Sequence, residues 1–235
     1  MESHITGIGL VRTAGMGGAN DHHDLVMTKG QLPHVTAASA FDKPYPPFRR
    51  MDEYSRLGLA AIAFALKDAG LNEWAEKRNI GIIATTVCGC LNTDIEYYRT
   101  VMPLRGMHAR PALFSYTLPN AFLGEAAIRF GLTGTSFIIN EHAPRGPACL
   151  QMALECITSG EADKMLFGFC DSRYPPPFEA IPNVPPGALF FMIEKSPWKG
   201  SSYGRVGLGK NGHLEFEGSQ VSGLDRLVEQ CLTGR

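Results

Sequence analysis

Residues 131–171, GLTGTSFIINEHAPRGPACLQMALECITSGEADKMLFGFCD, constrain the fold more than any other stretch. Thr135 to Glu141 is a β-branched and aromatic run that ends in a polar turn, which predicts a strand. A helix is predicted from about Gly146 to Ser159. Ala148, Cys149, Met152, Ala153, Cys156 and Ile157 fall there at spacings of three and four and face a core, and Ser159-Gly160 is a good C-terminal stop. Lys164 to Cys170 is an apolar run before Asp171 and reads as a buried strand of a mostly parallel sheet. Strand, helix and strand form a βαβ unit, and a strand feeding a tight turn and helix is where α/β proteins place reactive groups.

The rest of the chain supplies further elements of the same kind. His4 to Arg12 reads as an opening strand, and Thr13 to Pro47, rich in Gly, Pro and His, as an irregular excursion. Met51 to Gly70 is a long helix with a buried stripe of Leu57, Ala60, Ala61, Phe64 and Ala65. Asn79 to Val87 is the next strand, followed by helices over Thr93 to Met102 and Asn120 to Phe130, the second closed by Gly131. Ser172 to Pro186 is a proline-stiffened loop before the strand Ala188 to Lys195. The tail after Pro197 is Gly-rich until a short helix over Leu224 to Leu232.

Four ordered segments carry a family likeness over roughly residues 3 to 195: FRRMDEYSRLGLAAIAFALKDAGL (48–71), YTLPNAFLGEAAIRFGLTGTS (116–136), the strand-turn-helix after it, and SGEADKMLFGFCD (159–171). This pattern resembles the N-terminal half of the β-ketoacyl synthases, condensing enzymes of the thiolase superfamily. The resemblance implies an α/β fold: a single thiolase-like lobe with a mostly parallel five-stranded sheet sandwiched by helices, lacking the second lobe. Residues 1–195 would form that N-terminal-like domain, and 196–235 a Gly-rich tail whose short helix packs on it.

In an active synthase the turn reads Thr-Ala-Cys-x-Ser-Gly, with the cysteine at a helix N-terminus, where free amides and the dipole favour the thiolate. Aligned from Gly131, this chain reads Glu141, His142, Ala143, Pro144, Arg145, Gly146, so Ala143 holds the nucleophile position. The nearest thiol, Cys149, lies inside the helix and reads as a small core residue. The two family histidines, carried by His-Gly-Thr-Gly-Thr and Asn-x-x-Gly loops, have no counterpart; His213 reads as a polar loop residue. No catalytic residue is therefore assigned.

Other chemistry finds little support. The net charge is −1, from 22 basic and 23 acidic residues, which gives no basic surplus for nucleic acid. No apolar run approaches the ~18 residues of a membrane span, and MESHITGIGLVR lacks a signal-peptide core, so a cytoplasmic protein is expected. Six scattered cysteines do not make a disulfide framework. Cys88-Gly-Cys90 lacks further ligands at metal spacing, and the His22-His23 pair beside Asp21 and Asp24 reads as surface loop. No metal and no cofactor is expected.

The resemblance then implies a non-condensing partner subunit, similar to a chain-length factor, for an active synthase in fatty acid, polyketide or polyene biosynthesis. Family dimers pair the nucleophile strand, here Thr135 to Glu141, with its twin, so a homodimer or a heterodimer with a full-length synthase is expected, with acyl carrier protein as a further partner. Phe114, Tyr116, Phe122, Phe137 and Ile139 are candidates for lining an acyl tunnel or the interface. His142 and Arg145 are candidates for meeting a carrier phosphate or the partner's site. Two alternatives stand beside this: an acyl or carrier-protein binding module without catalysis, and a residual acyl-thioester enzyme using Glu141 or His142. Loss of the second lobe would bare an apolar face, to be covered by 13–47, by 196–235 or by a partner.

Overall fold

The computed structural model describes residues 1–13, 15–19, 31–103, 105–141, 146–173, 186–197 and 202–233. The chain builds one sheet from β1 (Glu2–Arg12), β2 (Gly15–Gly18), β3 (Ile80–Thr86), β4 (Ser136–Asn140), β5 (Lys164–Asp171), β6 (Gly187–Glu194), β7 (Gly204–Leu208), β8 (Leu214–Phe216) and β9 (Ser219–Gln220). Its order is β4-β3-β5-β6-β1-β7-β8-β9, with β2 also on β1. The helices are α1 (Ala37–Ala40), α2 (Glu53–Asp68), α3 (Leu91–Val101), α4 (Pro111–Phe114), α5 (Ala121–Phe130), α6 (Pro147–Ser159) and α7 (Leu224–Thr233).

The expected five-stranded, mostly parallel sheet needs correction. Only β3–β4 and β3–β5 are parallel; the other paired strands, β5–β6, β6–β1, β1–β2, β1–β7, β7–β8 and β8–β9, are antiparallel. For β2, β8 and β9 the physical reason is connection length. A parallel neighbour needs a helical crossover, whereas β2, β8 and β9 follow their partners through tight turns. The thiolase-like α/β architecture holds for β1, β3, β4, β5 and β6, and the remaining strands extend it.

Alternation along the strands feeds two cores, one on each face. Ile82, Ala84, Leu166, Cys170, Phe190 and Met192 face α2 and α5. Ile83, Phe167, Phe169, Leu189 and Phe191 face α6 and α7. Helix α2 begins at Asp52, whose side chain accepts from the Ser55 amide as an N-cap. Its burial is broader than a stripe: Tyr54, Leu59, Ile62, Ala63 and Leu66 are buried along with the predicted residues, as befits an interior helix. It sits close on β1 because Gly9 has no side chain; a Cβ there would lie 2.1 Å from the Ala61 carbonyl oxygen.

The segment 202–233 departs most from expectation. The tail between Pro197 and Leu224 contains β7, β8 and β9, and β7 pairs with the first half of β1. Helix α7 returns to the α6 face, where Leu224, Leu227, Val228 and Cys231 share a core with Cys149, Leu150 and Ala153. The excursion 13–47 likewise contains β2 and α1 among its described residues, and the His22-His23 pair lies outside them.

Candidate functional site

Strand β1 is antiparallel to β6, as is β5, so β1, β3, β4 and β5 all run in one direction. Their carboxyl ends bring Arg12, Thr86, Asn140 and Asp171 to the same edge, where β4 leads toward the N-terminus of α6. Carboxyl ends of strands meeting a helix N-terminus form the usual ligand crevice of an open α/β sheet.

Glu141 is fixed by its backbone amide, which donates to the Thr86 carbonyl oxygen at 3.0 Å. Its carboxyl lies at the start of α6. Burial pushes its pKa upward, and the amides of Gly146 and Ala148, which donate to it, oppose that rise. His142, Ala143, Pro144 and Arg145 lie outside the described residues. Cys149 is fully buried and its thiol donates to the Gly146 carbonyl oxygen at 3.2 Å. Burial, followed by the nearby Glu141 carboxylate, pushes that thiol far above the ordinary range, which makes it a poor nucleophile.

Asp171, missed as a structural anchor in the sequence, closes the edge. Its Oδ1 accepts from Thr86 Oγ1 at 2.9 Å and from the amides of Val87 at 2.9 Å and Cys88 at 3.2 Å. Gly89 turns with φ of +55°, and its amide donates to Thr86 Oγ1. The Cys88-Gly-Cys90 pair is thus the turn between β3 and α3. Burial, followed by Asp94, pushes the Cys90 thiol up to about 12. Among the described residues no group of three or more His, Cys, Asp or Glu converges to hold a metal.

The five apolar candidates separate. Phe122 is fully buried, edge-on to Tyr54 at 5.4 Å and to Phe190 at 6.1 Å, in the core between α5, α2 and β6. Tyr116 is buried, with its hydroxyl 3.4 Å from Glu125 Oε1, an oxygen that accepts from it; Glu125 Oε2 accepts from Tyr45 at 2.8 Å. Phe137 and Ile139 lie on β4, partly buried against the α6-side core. Phe114 is 61% exposed on α4, its ring 5.4 Å from Tyr97 of α3. The structure therefore does not gather these five around one cavity. Tyr98, Met102, Met107 and Leu118, all within 16 residues of Phe114 in sequence, are also exposed large apolar residues, which periodicity alone did not mark.

A single-lobe sheet with its strand-turn-helix at the carboxyl edge defines a thiolase-like protein. The model of the β-ketoacyl synthase N-terminal domain matches residues 26–176, and the chain belongs to that family. Among curated proteins it is similar to Nodulation protein E of Rhizobium leguminosarum bv. trifolii, 28% identical over 153 residues, which is 65% of this chain; the match spans only 38% of that relative's length. Its fold is similar to the ishigamide ketosynthase/chain length factor, with a TM-score of 0.69 at 15% identity over 87% of this chain and 62% of that one. It is similar too to a ketosynthase (ApeO) in complex with its chain length factor (ApeC) from Xenorhabdus doucetiae, with a TM-score of 0.59 at 15% identity over 84% of this chain and 80% of that one. Among the described residues no helix is long and apolar enough to cross a membrane.

Proposed function

We propose that this protein is a non-condensing partner subunit of a full-length β-ketoacyl synthase, acting in the manner of a chain-length factor in polyketide, polyene or fatty acid synthesis. The observation that carries this reading is the open edge of the sheet. Strand β4 pairs with β3 alone, no strand covers its other side among the described residues, and none of its five residues is buried. An uncovered strand edge bearing Phe137, Ile138 and Ile139 is a template for another chain. The exposed Tyr98 of α3 and Phe114 of α4, two helices joined by the Tyr97–Phe114 ring contact, support the same reading, since exposed apolar surface marks an association site. So does the ApeO–ApeC match, which covers most of a chain from a ketosynthase–chain length factor complex.

In this account residues 1–195 are the synthase-like unit, and 196–235 are its cover. Alanine at position 143 removes the thiolate, and Cys149 does not replace it. The subunit works by shape: it completes the partner's interface and limits the volume open to a growing acyl chain. Phe114, Phe137 and Ile139 are the interface residues in this reading, whereas Tyr116 and Phe122 are core. Exposed Arg49 and Arg50, which form no ion pair among the described residues, are the cations offered to an acidic acyl carrier protein in the cytoplasm.

The test is reconstitution. The chain is co-expressed with a genomically adjacent synthase and carrier protein, and the lengths of the condensed products are measured with and without it. Altered product length supports the subunit role; the same product distribution in both cases removes it.

A further inference from the structure

Residues 37–49 wrap an open cavity of about 520 Å³, none of whose walls comes from β4 or α6. Its size falls within the roughly 300–1,000 Å³ of small-molecule sites. Ala37 and Phe41 come from α1 and its end, Pro44 and Tyr45 from the link that follows, and Pro46 and Arg49 from the 3-10 turn Pro46–Arg50. These walls are fixed by contacts of their own. A capping box between Thr36 and Ser39 holds α1. The Phe41 ring stands edge-on to those of Tyr45 and Phe48, each at 5.4 Å, and the Arg129 guanidinium lies 5.5 Å from its centroid. The Tyr45 hydroxyl donates to Glu125 Oε2 at 2.8 Å. The cavity is thus formed before any guest arrives, and little ordering is left for binding to impose.

The charges around the cavity are unequal. Asp42, on its rim, accepts from Lys67 Nζ at 2.6 Å and from the Asn72 amide at 3.2 Å, so its charge is answered. Arg49 is exposed and forms no ion pair among the described residues. Its backbone is held in place, since the Arg49 carbonyl oxygen accepts from Arg56 Nη2 at 3.1 Å. We propose that this cavity binds an apolar monocarboxylate, with the hydrocarbon body against Phe41, Tyr45 and the prolines and the carboxylate on Arg49. A planar guanidinium takes a carboxylate through two parallel N–H donors. One guanidinium answers one negative charge, which favours a monocarboxylate over a phosphate dianion. An aromatic and proline wall with a single polar anchor is the usual make-up of a small-molecule site. The site goes beyond the partner-subunit role and is measured on the chain alone, with neither synthase nor carrier protein.

Octanoate is the probe, with 1-octanol as the body without the charge and acetate as the charge without the body. Each is titrated into the full chain by isothermal calorimetry. Octanoate is expected to bind at one site and acetate to give no measurable binding. Arg49→Gln is expected to weaken octanoate by about tenfold or more, as loss of a charge-assisted pair does, and to leave octanol unchanged. Ala38 is exposed on α1 and lines the cavity, so Ala38→Trp fills it and is expected to remove both octanoate and octanol binding. Circular dichroism and the urea midpoint check that each variant is folded; if Ala38→Trp is not, Arg49→Gln decides alone. Absence of octanoate binding to the wild type overturns the proposal. So does octanoate binding that Arg49→Gln leaves intact, or that a folded Ala38→Trp leaves intact, because the guest then sits elsewhere.

Discussion

The ring of Tyr97 rests against that of Phe114, with centroids 5.4 Å apart and planes inclined by 47°. This contact joins α3 to α4 and presents Phe114 outward. If the surface is an interface, Phe114→Asp combined with Met102→Asp weakens association with a partner synthase by at least about tenfold, which is ~1.4 kcal/mol. The urea midpoint of the isolated chain moves little, because both residues are already in water. Analytical ultracentrifugation of the mixture, with urea titration of the chain alone, separates the two effects.

Lysine on an open strand edge discourages pairing. Ser136 and Asn140 are the two exposed positions of β4. Ser136→Lys with Asn140→Lys is expected to abolish strand-mediated association, read by size-exclusion chromatography with light scattering, while the circular dichroism spectrum is unchanged.

Phe122 and Phe114 separate core from surface among aromatics that look alike in sequence. Phe122→Ala empties a site between Tyr54 and Phe190 and is expected to cost about 3–5 kcal/mol. Phe114→Ala is expected to cost no more than about 0.5 kcal/mol. Equilibrium urea unfolding gives both numbers.

Asp171→Ala removes the acceptor for one hydroxyl and two amides at the β3–α3 turn, at an expected cost of about 3 kcal/mol. Cys88, half-buried in that turn, then alkylates faster than in the wild type. Mass spectrometry after a short iodoacetamide pulse reads the change.

Burial raises the pKa of Glu141, so the native state holds its proton where the unfolded chain is already ionised. The stability this residue contributes is fully present below the ordinary glutamate range and is lost as pH rises through the native value. Glu141→Gln lacks that loss. The stability difference between Glu141→Gln and the wild type is therefore expected to grow from about pH 4 toward neutrality, measured by urea unfolding at several pH values.

Much of the lobe is legible because its signals are local. The predicted strand over Lys164 to Cys170 and the observed β5 agree to within a residue, because the run is continuously apolar; the predicted helix from Gly146 to Ser159 and α6 agree as closely, because apolar periodicity and the Gly160 stop coincide there. Strands β7 to β9 were hidden for a different reason. RVGL and LEF are short and separated by Gly and Asn; RVGL becomes a strand by pairing with β1, two hundred residues away in sequence, which no local window contains, and LEF then pairs with it. The candidate site was legible in its residue types but not in their environments. Phe114 and Phe122 are the same residue eight positions apart, yet one is 61% exposed and the other fully buried, because α4 lies outside the sheet-helix sandwich and α5 packs on α2.

Native mass spectrometry of the chain co-expressed with a full-length β-ketoacyl synthase tests the central claim most directly. The account predicts a one-to-one heterodimer that is lost when Phe114 and Met102 become aspartate. A chain that stays free of the synthase, whether alone or only with its own copies, contradicts it.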